Sequence, residues 1–177
     1  MANVLLVIAQ KGFQTKEYYD PKRVLEQAGH TVVTASVEKG GAVSNIGEQA
    51  PVDIALADVR TGDYDGVFVI GGPGAIKFLD NDETARIMKE AEAREGMPYG
   101  AICVSPRILA KAGVLRGKKV TGWNEDGNLE GILKEGGVVY EHEPVVTDGR
   151  IVTADGPGSA EEFGKAITRL LRARSSA

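Results

Sequence analysis

The sequence predicts an α/β fold, a mainly parallel sheet with helices on both faces. Strand-like and helix-like segments alternate from one end to the other, which is the order that builds such sheets. The strand-like runs are short and almost wholly apolar, as strands covered on both faces are. The balance of residues agrees: 177 residues, 42% hydrophobic and 26% charged, suit one globular domain, 1–177, with a sizeable core.

Taken in order, residues 4–9 read as a first buried strand. Residues 17–28 read as a helix stopped by Gly29, and 31–36 as a strand rich in β-branched residues. Residues 42–46 fit a short strand or a hairpin arm. Residues 67–70 form a buried strand closed by Gly71-Gly72, and 82–94 a charged amphipathic helix. A short apolar run leads to Cys103, and 106–112 reads as a helix with Pro106 in its first turn, where a missing N–H leaves nothing unpaired. Residues 119–121 read as a strand end and 127–134 as a short helix. Strands follow at 138–140, 145–147 and 151–154, the last two joined by the turn Thr147-Asp148-Gly149-Arg150. The last helix, 159–172, opens on Ser159-Ala160-Glu161-Glu162, the pattern of a capping box.

Charge and composition exclude several classes. A net charge of −4 with no Lys/Arg-rich tract argues against nucleic-acid binding; the three arginines of 169–174 follow helical spacing and read as a solvated face. No apolar run is long enough to span a membrane. Residues 4–9 lack the basic start and long apolar core of a signal peptide, so a cytoplasmic location is expected. One cysteine forms no internal disulfide and no multi-cysteine metal site. The only histidines, His30 and His142, are far apart, so no local metal motif is present and no metal is expected. The loop Gln10-Lys11-Gly12-Phe13-Gln14 lacks a dinucleotide fingerprint, and Gly71-Gly72-Pro73-Gly74 lacks the Lys-Ser/Thr of a phosphate loop.

Cys103 sits between a buried strand and a helix start, where a nucleophile elbow places its nucleophile. Free N–H groups at such a junction stabilise a thiolate and offer an oxyanion donor, so a lowered thiol pKa is expected. A cysteine beside Ala101 and Ile102 is equally consistent with a small buried hydrophobe.

Three stretches in one order resemble the ThiJ/PfpI superfamily. They are Glu17-Tyr18-Tyr19-Asp20-Pro21, Asp65-Gly66 through Gly71-Gly72, and Ala101-Ile102-Cys103-Val104-Ser105-Pro106 followed by Ala112-Gly113 through Val120-Thr121. The ending Gly156-Pro157-Gly158-Ser159 through Phe163 is similar to the deglycase branch. That superfamily includes the Parkinson-associated protein deglycases, glyoxalase III-type enzymes, PfpI peptidases and isonitrile hydratases. The resemblance implies a flavodoxin-like, class I glutamine amidotransferase-like sandwich, Cys103 as nucleophile, Glu17 against its thiol, and Gly72 and Val104 as oxyanion donors. It further implies a homodimer or larger homo-oligomer and no cofactor. A carboxyl beside a thiolate keeps one proton between them, which makes Glu17 a proton shuttle with a raised pKa.

The chain departs from the family where imidazoles are usual. Val104 follows the cysteine, Gly122-Trp123 follows the Lys-Val-Thr strand, and Asp155 stands where an arginine often precedes Gly-Pro. His142 is the remaining candidate to approach the site; Gly71, Trp123, Tyr18 and Tyr19 are candidates to shape the pocket, against ordinary packing. Missing imidazoles weaken amide hydrolysis most, since it needs both a base and an acid. The expected activity is a glyoxalase III or deglycase-like reaction on small reactive carbonyls. The alternatives are an oxidisable, stress-responsive cysteine without turnover and a divergent peptidase or isonitrile hydratase-like hydrolase.

Overall fold

Val4, Leu5, Leu6 and Val7 are wholly buried, and that places the first strand, β1 (Asn3–Val7), inside the sheet. In the computed structural model, which describes residues 1–175, the chain continues through β2 (Lys11–Phe13), α1 (Thr15–Gln27), β3 (Thr31–Ser36), β4 (Gly40–Ser44), β5 (Gln49–Val52) and β6 (Ile54–Ala55). Next come β7 (Gly66–Val69), α2 (Ala75–Leu79), α3 (Asp82–Ala93), β8 (Tyr99–Ile102), α4 (Pro106–Ala112) and β9 (Lys119–Val120). The remainder is α5 (Leu129–Glu135), β10 (Val139–Tyr140), β11 (Val145–Asp148), β12 (Ile151–Ala154) and α6 (Ala160–Ser175).

Seven strands form the main sheet in the order β11-β12-β8-β7-β1-β3-β6, parallel except for β11. The fold is flavodoxin-like. From β1 the chain crosses first to β3 on one side and then to β7 on the other, so the order reverses at β1. Open α/β sheets bind ligands beyond the carboxyl ends of strands near such a reversal. The loops that follow β7, β8 and β12 open there.

Two small sheets lie outside this frame: β2-β4-β5 and the pair β9-β10. Of the residues 42–46 read as a strand or hairpin arm, 42–44 belong to the first, in the antiparallel hairpin β4–β5, and 45–46 form its turn. Neither β2 nor β5 stands out in the sequence, because β2 has three residues and β5 contains Pro51, which fits only an edge strand.

The last helix begins after a short 3₁₀ turn, Pro157–Ser159. Ser159 does not close a capping box with Glu162; its hydroxyl donates to Asp155 Oδ1 at 2.6 Å. Helix α6 packs closely on α1 at Gly164, where a β-carbon would lie 2.8 Å from Pro21 Cα. This contact holds the start of α1, and with it Glu17, against the sheet.

Arg150 closes the C-terminal end of α3. Its guanidinium donates to the carbonyls of Ala91 at 3.0 Å, Arg94 at 3.3 Å and Met97 at 2.8 Å, and to Glu92 O, while stacking on Tyr99. These carbonyls have no partner within the helix, so a cation there is doubly favoured. Arg150→Ala is expected to lower unfolding stability by about 2–3 kcal/mol in urea titration; a loss below about 0.5 kcal/mol, the range of ordinary surface changes, would contradict this account.

Candidate active site

Among the described residues, Cys103 is the one non-glycine residue with positive φ, at 65°. A left-handed cysteine is strained and survives only where its surroundings hold it. Here four contacts do so. Cys103 N donates to Ala154 O at 2.9 Å, and Trp123 N donates to Cys103 O at 2.7 Å. Ser105 N returns to Ile102 O at 3.2 Å, and Ser105 Oγ donates to Ile70 O at 2.8 Å, tying the start of α4 to the end of β7. The result is the sharp strand-to-helix turn of a nucleophile elbow.

Glu17 lies in the first turn of α1. Gln14 caps that helix, its side chain accepting from Glu17 N at 2.9 Å, and Gln14 N donates to Gly71 O at 3.1 Å. The Glu17 side chain is fully buried, and neither carboxyl oxygen has a close hydrogen-bond partner. It faces the Cys103 thiol and the Gly71 amide, and burial raises its pKa to about 7 despite both. A smaller push in the same direction comes from Asp155.

The Cys103 thiol is also pushed up, by burial first and then by the charge and proximity of Glu17. The N–H groups of Gly72 and Val104 face the sulfur and act in the opposite direction, but more weakly. The lowered thiol pKa expected from the sequence is therefore not what the site produces. Two amides do not offset burial together with an adjacent carboxylate. Glu17 and Cys103 titrate as a pair: one proton leaves near pH 7 and the second only far above. Between those steps the pair holds one proton and one negative charge.

Cys103, Glu17, Gly72 and Val104 open together onto a cavity of about 920 Å³. Trp123 and His142 stand on its wall, where the sequence placed them as candidates. The His142 ring lies 4.4 Å from that of Tyr140, which lines the cavity too. Tyr18 is a correction: it is wholly buried, bonded through its hydroxyl to Thr34 Oγ1 at 2.7 Å and packed edge-on against Phe13. One residue along a helix is a turn of about 100°, so Tyr18 points onto β3 while Glu17 points to the cysteine. Tyr19 likewise stays off the cavity and donates to Gln49 O at 3.1 Å. Gly71 is a second correction, since it lies behind the elbow rather than on the cavity wall. A β-carbon there would lie 2.5 Å from both Cys103 Cβ and Glu17 Oε2, so only glycine leaves room for the pair.

The wall also contains Gln14, Glu125, Glu143 and Asp155, which the sequence did not mark as site residues. Asp155 alone left a signal, as the residue in front of Gly156-Pro157. The others come from separate loops whose meeting depends on the crossovers of the sheet.

Comparison with known proteins agrees with this geometry. The chain is 36% identical to protein MJ0967 of Methanocaldococcus jannaschii over 171 residues, covering 96% of this chain and 82% of that one. It is 29% identical over 168 residues to Deglycase PfpI of Pyrococcus furiosus, covering 95% and 99% of the two chains. The solved ThiJ/PfpI domain protein from Brachyspira murdochii superposes with a TM-score of 0.90 at 29% identity, over 97% of this chain and 96% of that one. Drosophila melanogaster DJ-1beta gives 0.84 at 26% identity, over 98% and 95%. The model of the DJ-1/PfpI family matches residues 2–170, every strand of the sheet and every loop around Cys103, and the chain belongs to that family.

Proposed function

We propose that this protein is a cofactor-independent, cysteine-dependent enzyme acting on small reactive carbonyls, with methylglyoxal as the simplest test substrate. The observation that carries the reading is a strained, left-handed Cys103 facing a buried Glu17 carboxyl that also meets the Gly71 amide. That is where a nucleophile and a proton carrier are needed, at the base of a cavity with room for a substrate. Relatives named as deglycases support the same class.

In the proposed reaction the Cys103 thiolate adds to the aldehyde carbon, and the carbonyl electron pair moves to oxygen. The Gly72 and Val104 amides receive that oxygen, and Glu17 protonates it. Glu17 then takes the proton from the former aldehyde carbon and returns it to the neighbouring carbon, while the hydroxyl proton passes from the first oxygen to the second. This leaves a 2-hydroxy thioester, and water releases the thiol and a 2-hydroxy acid. Methylglyoxal plus water thus gives lactate, with no net change in redox state. Lactate formation by wild type and Cys103→Ser tests this: the variant is expected to lose about 100-fold or more of the rate. Turnover that survives the substitution overturns the reading.

The same two amides and a protonated Glu17 also suit the oxygens of a sulfinate. This favours, as a second reading, an oxidation-sensing role at Cys103. Mild peroxide followed by intact-mass measurement separates the two: readily gained oxygens without carbonyl turnover support sensing.

A further inference from the structure

The cavity above Cys103 is walled by carboxylates. Glu17, Glu125, Glu143 and Asp155 line it, no lysine or arginine does among the described residues, and its one basic side chain is the His142 imidazole. These groups come from α1, the loop after β9, the loop after β10 and the turn after β12. Glu125 and Glu143 are exposed, and no ion pair or hydrogen bond engages their side chains among the described residues. Asp155 accepts from the Ser159 hydroxyl and meets no cation among the described residues. Arg107 does not reach the wall: it stacks on Trp123 at 5.3 Å, and two hydrogen bonds to Asp126, of 2.9 and 2.7 Å, match its charge. The buried Glu17 carboxyl, without a close partner, opens onto the same space.

A cleft lined by one sign of charge, with low-dielectric walls, focuses its field. It concentrates counter-ions and speeds their arrival by about 10- to 1,000-fold. The Glu17–Cys103 pair at the bottom contributes one negative charge to that field, whichever of the two holds the proton. Two aromatic rings on the wall, Trp123 and Tyr140, offer faces that attract cations as well. The volume far exceeds what a three-carbon dicarbonyl occupies and leaves room for a side arm.

Resting on the assignment of Cys103 as nucleophile, we propose that this cavity selects cationic electrophiles. Its substrates are then small aldehydes on a chain that also carries an ammonium or guanidinium group, in preference to carboxylated or phosphorylated carbonyls. The covalent step is unchanged: sulfur bonds to the carbonyl carbon, the π pair moves to oxygen, and Glu17 supplies the proton. The cationic arm takes no part in bond making and is held by Glu125, Glu143 and Asp155.

The test needs no turnover. Cys103 is the only thiol in the chain, so its rate of modification is read directly by mass. Three methanethiosulfonates are compared, bearing a trimethylammonioethyl, a methyl or a sulfonatoethyl group. In each the thiolate attacks sulfur and expels methanesulfinate, leaving a mixed disulfide. Rates are normalised to those with 2-mercaptoethanol. At about 20 mM salt the cationic reagent is expected to outpace the anionic one by about 30-fold or more, and by at least about fivefold less at about 0.5 M. Glu125→Gln/Glu143→Gln, at exposed positions, is expected to lower the low-salt ratio about fivefold. A wild-type ratio within about twofold of unity, or one that neither salt nor the double variant changes, overturns the selectivity and leaves the nucleophile standing. Failure of all three reagents to modify Cys103 overturns both.

Discussion

Glu17→Gln is expected to make the protein more stable and nearly inactive. The Glu17 carboxyl titrates at about 7 in the folded chain against 4.5 when unperturbed. Below pH 4.5 both states hold the proton, and the residue adds no pH dependence. Between 4.5 and 7 the unfolded chain releases its proton while the folded chain keeps it, so stability falls as pH rises. Above 7 the folded carboxylate is charged as well, and the deficit levels off at about 3 kcal/mol, from 1.36 kcal/mol per pKa unit. Glutamine has nearly the same shape and no charge to bury, so it removes that deficit. Urea unfolding at pH 8 should show the variant about 3 kcal/mol more stable, with the gap closing by pH 4.5. Carbonyl turnover should drop by about 100-fold or more, because no proton carrier remains beside the thiol. A gap that does not change with pH would mean that Glu17 is not held in the raised state described here. Stability given up at a working group is a common arrangement in enzymes.

The second large effect is expected at Gly71. A methyl group there meets Cys103 Cβ and Glu17 Oε2 at 2.5 Å and Ile102 O at 2.8 Å. Two of these neighbours belong to the elbow backbone or are fixed to it, so they cannot swing aside. Gly71→Ala should cost about 3 kcal/mol, the upper range for overpacking. In the molecules that still fold, Cys103 should lose its contact with Glu17 and with it the pH dependence of alkylation near 7. Gly62→Ala is the matched control. Nothing lies within 4 Å of a β-carbon at that position, and its stability should stay within about 0.5 kcal/mol of wild type. Equal stabilities for the two variants would contradict the packing described around the elbow.

Much of this was legible in the sequence. Apolar runs at residues 4–9, 67–70 and 151–154 mark strands that the structure places inside one sheet, because burial on both faces leaves few polar positions, Thr153 being one. An apolar run ending in Cys103 and followed by Ser105-Pro106 marks the elbow, because a proline fits the first turn of a helix and not the end of an inner strand. The resemblance carried Glu17, Gly72 and Val104 to the same place. Tyr18 was misplaced because adjacent residues on a helix look alike in sequence but face different neighbours.

The chain order and the apolar pattern by themselves determined the fold class and placed Cys103 between a strand and a helix, and the resemblance of three ordered motifs gave the family. The first two depend on local propensity and periodicity, which are properties of neighbouring residues. Tertiary structure alone decided the rest. The direction of the Cys103 shift depends on burial and on a carboxyl 86 residues away in the chain, between Glu17 and Cys103. The acidic wall depends on Glu125, Glu143 and Asp155 meeting from three loops. Desolvation and electrostatic fields are set by distance in space, and the crossovers of the sheet set that distance.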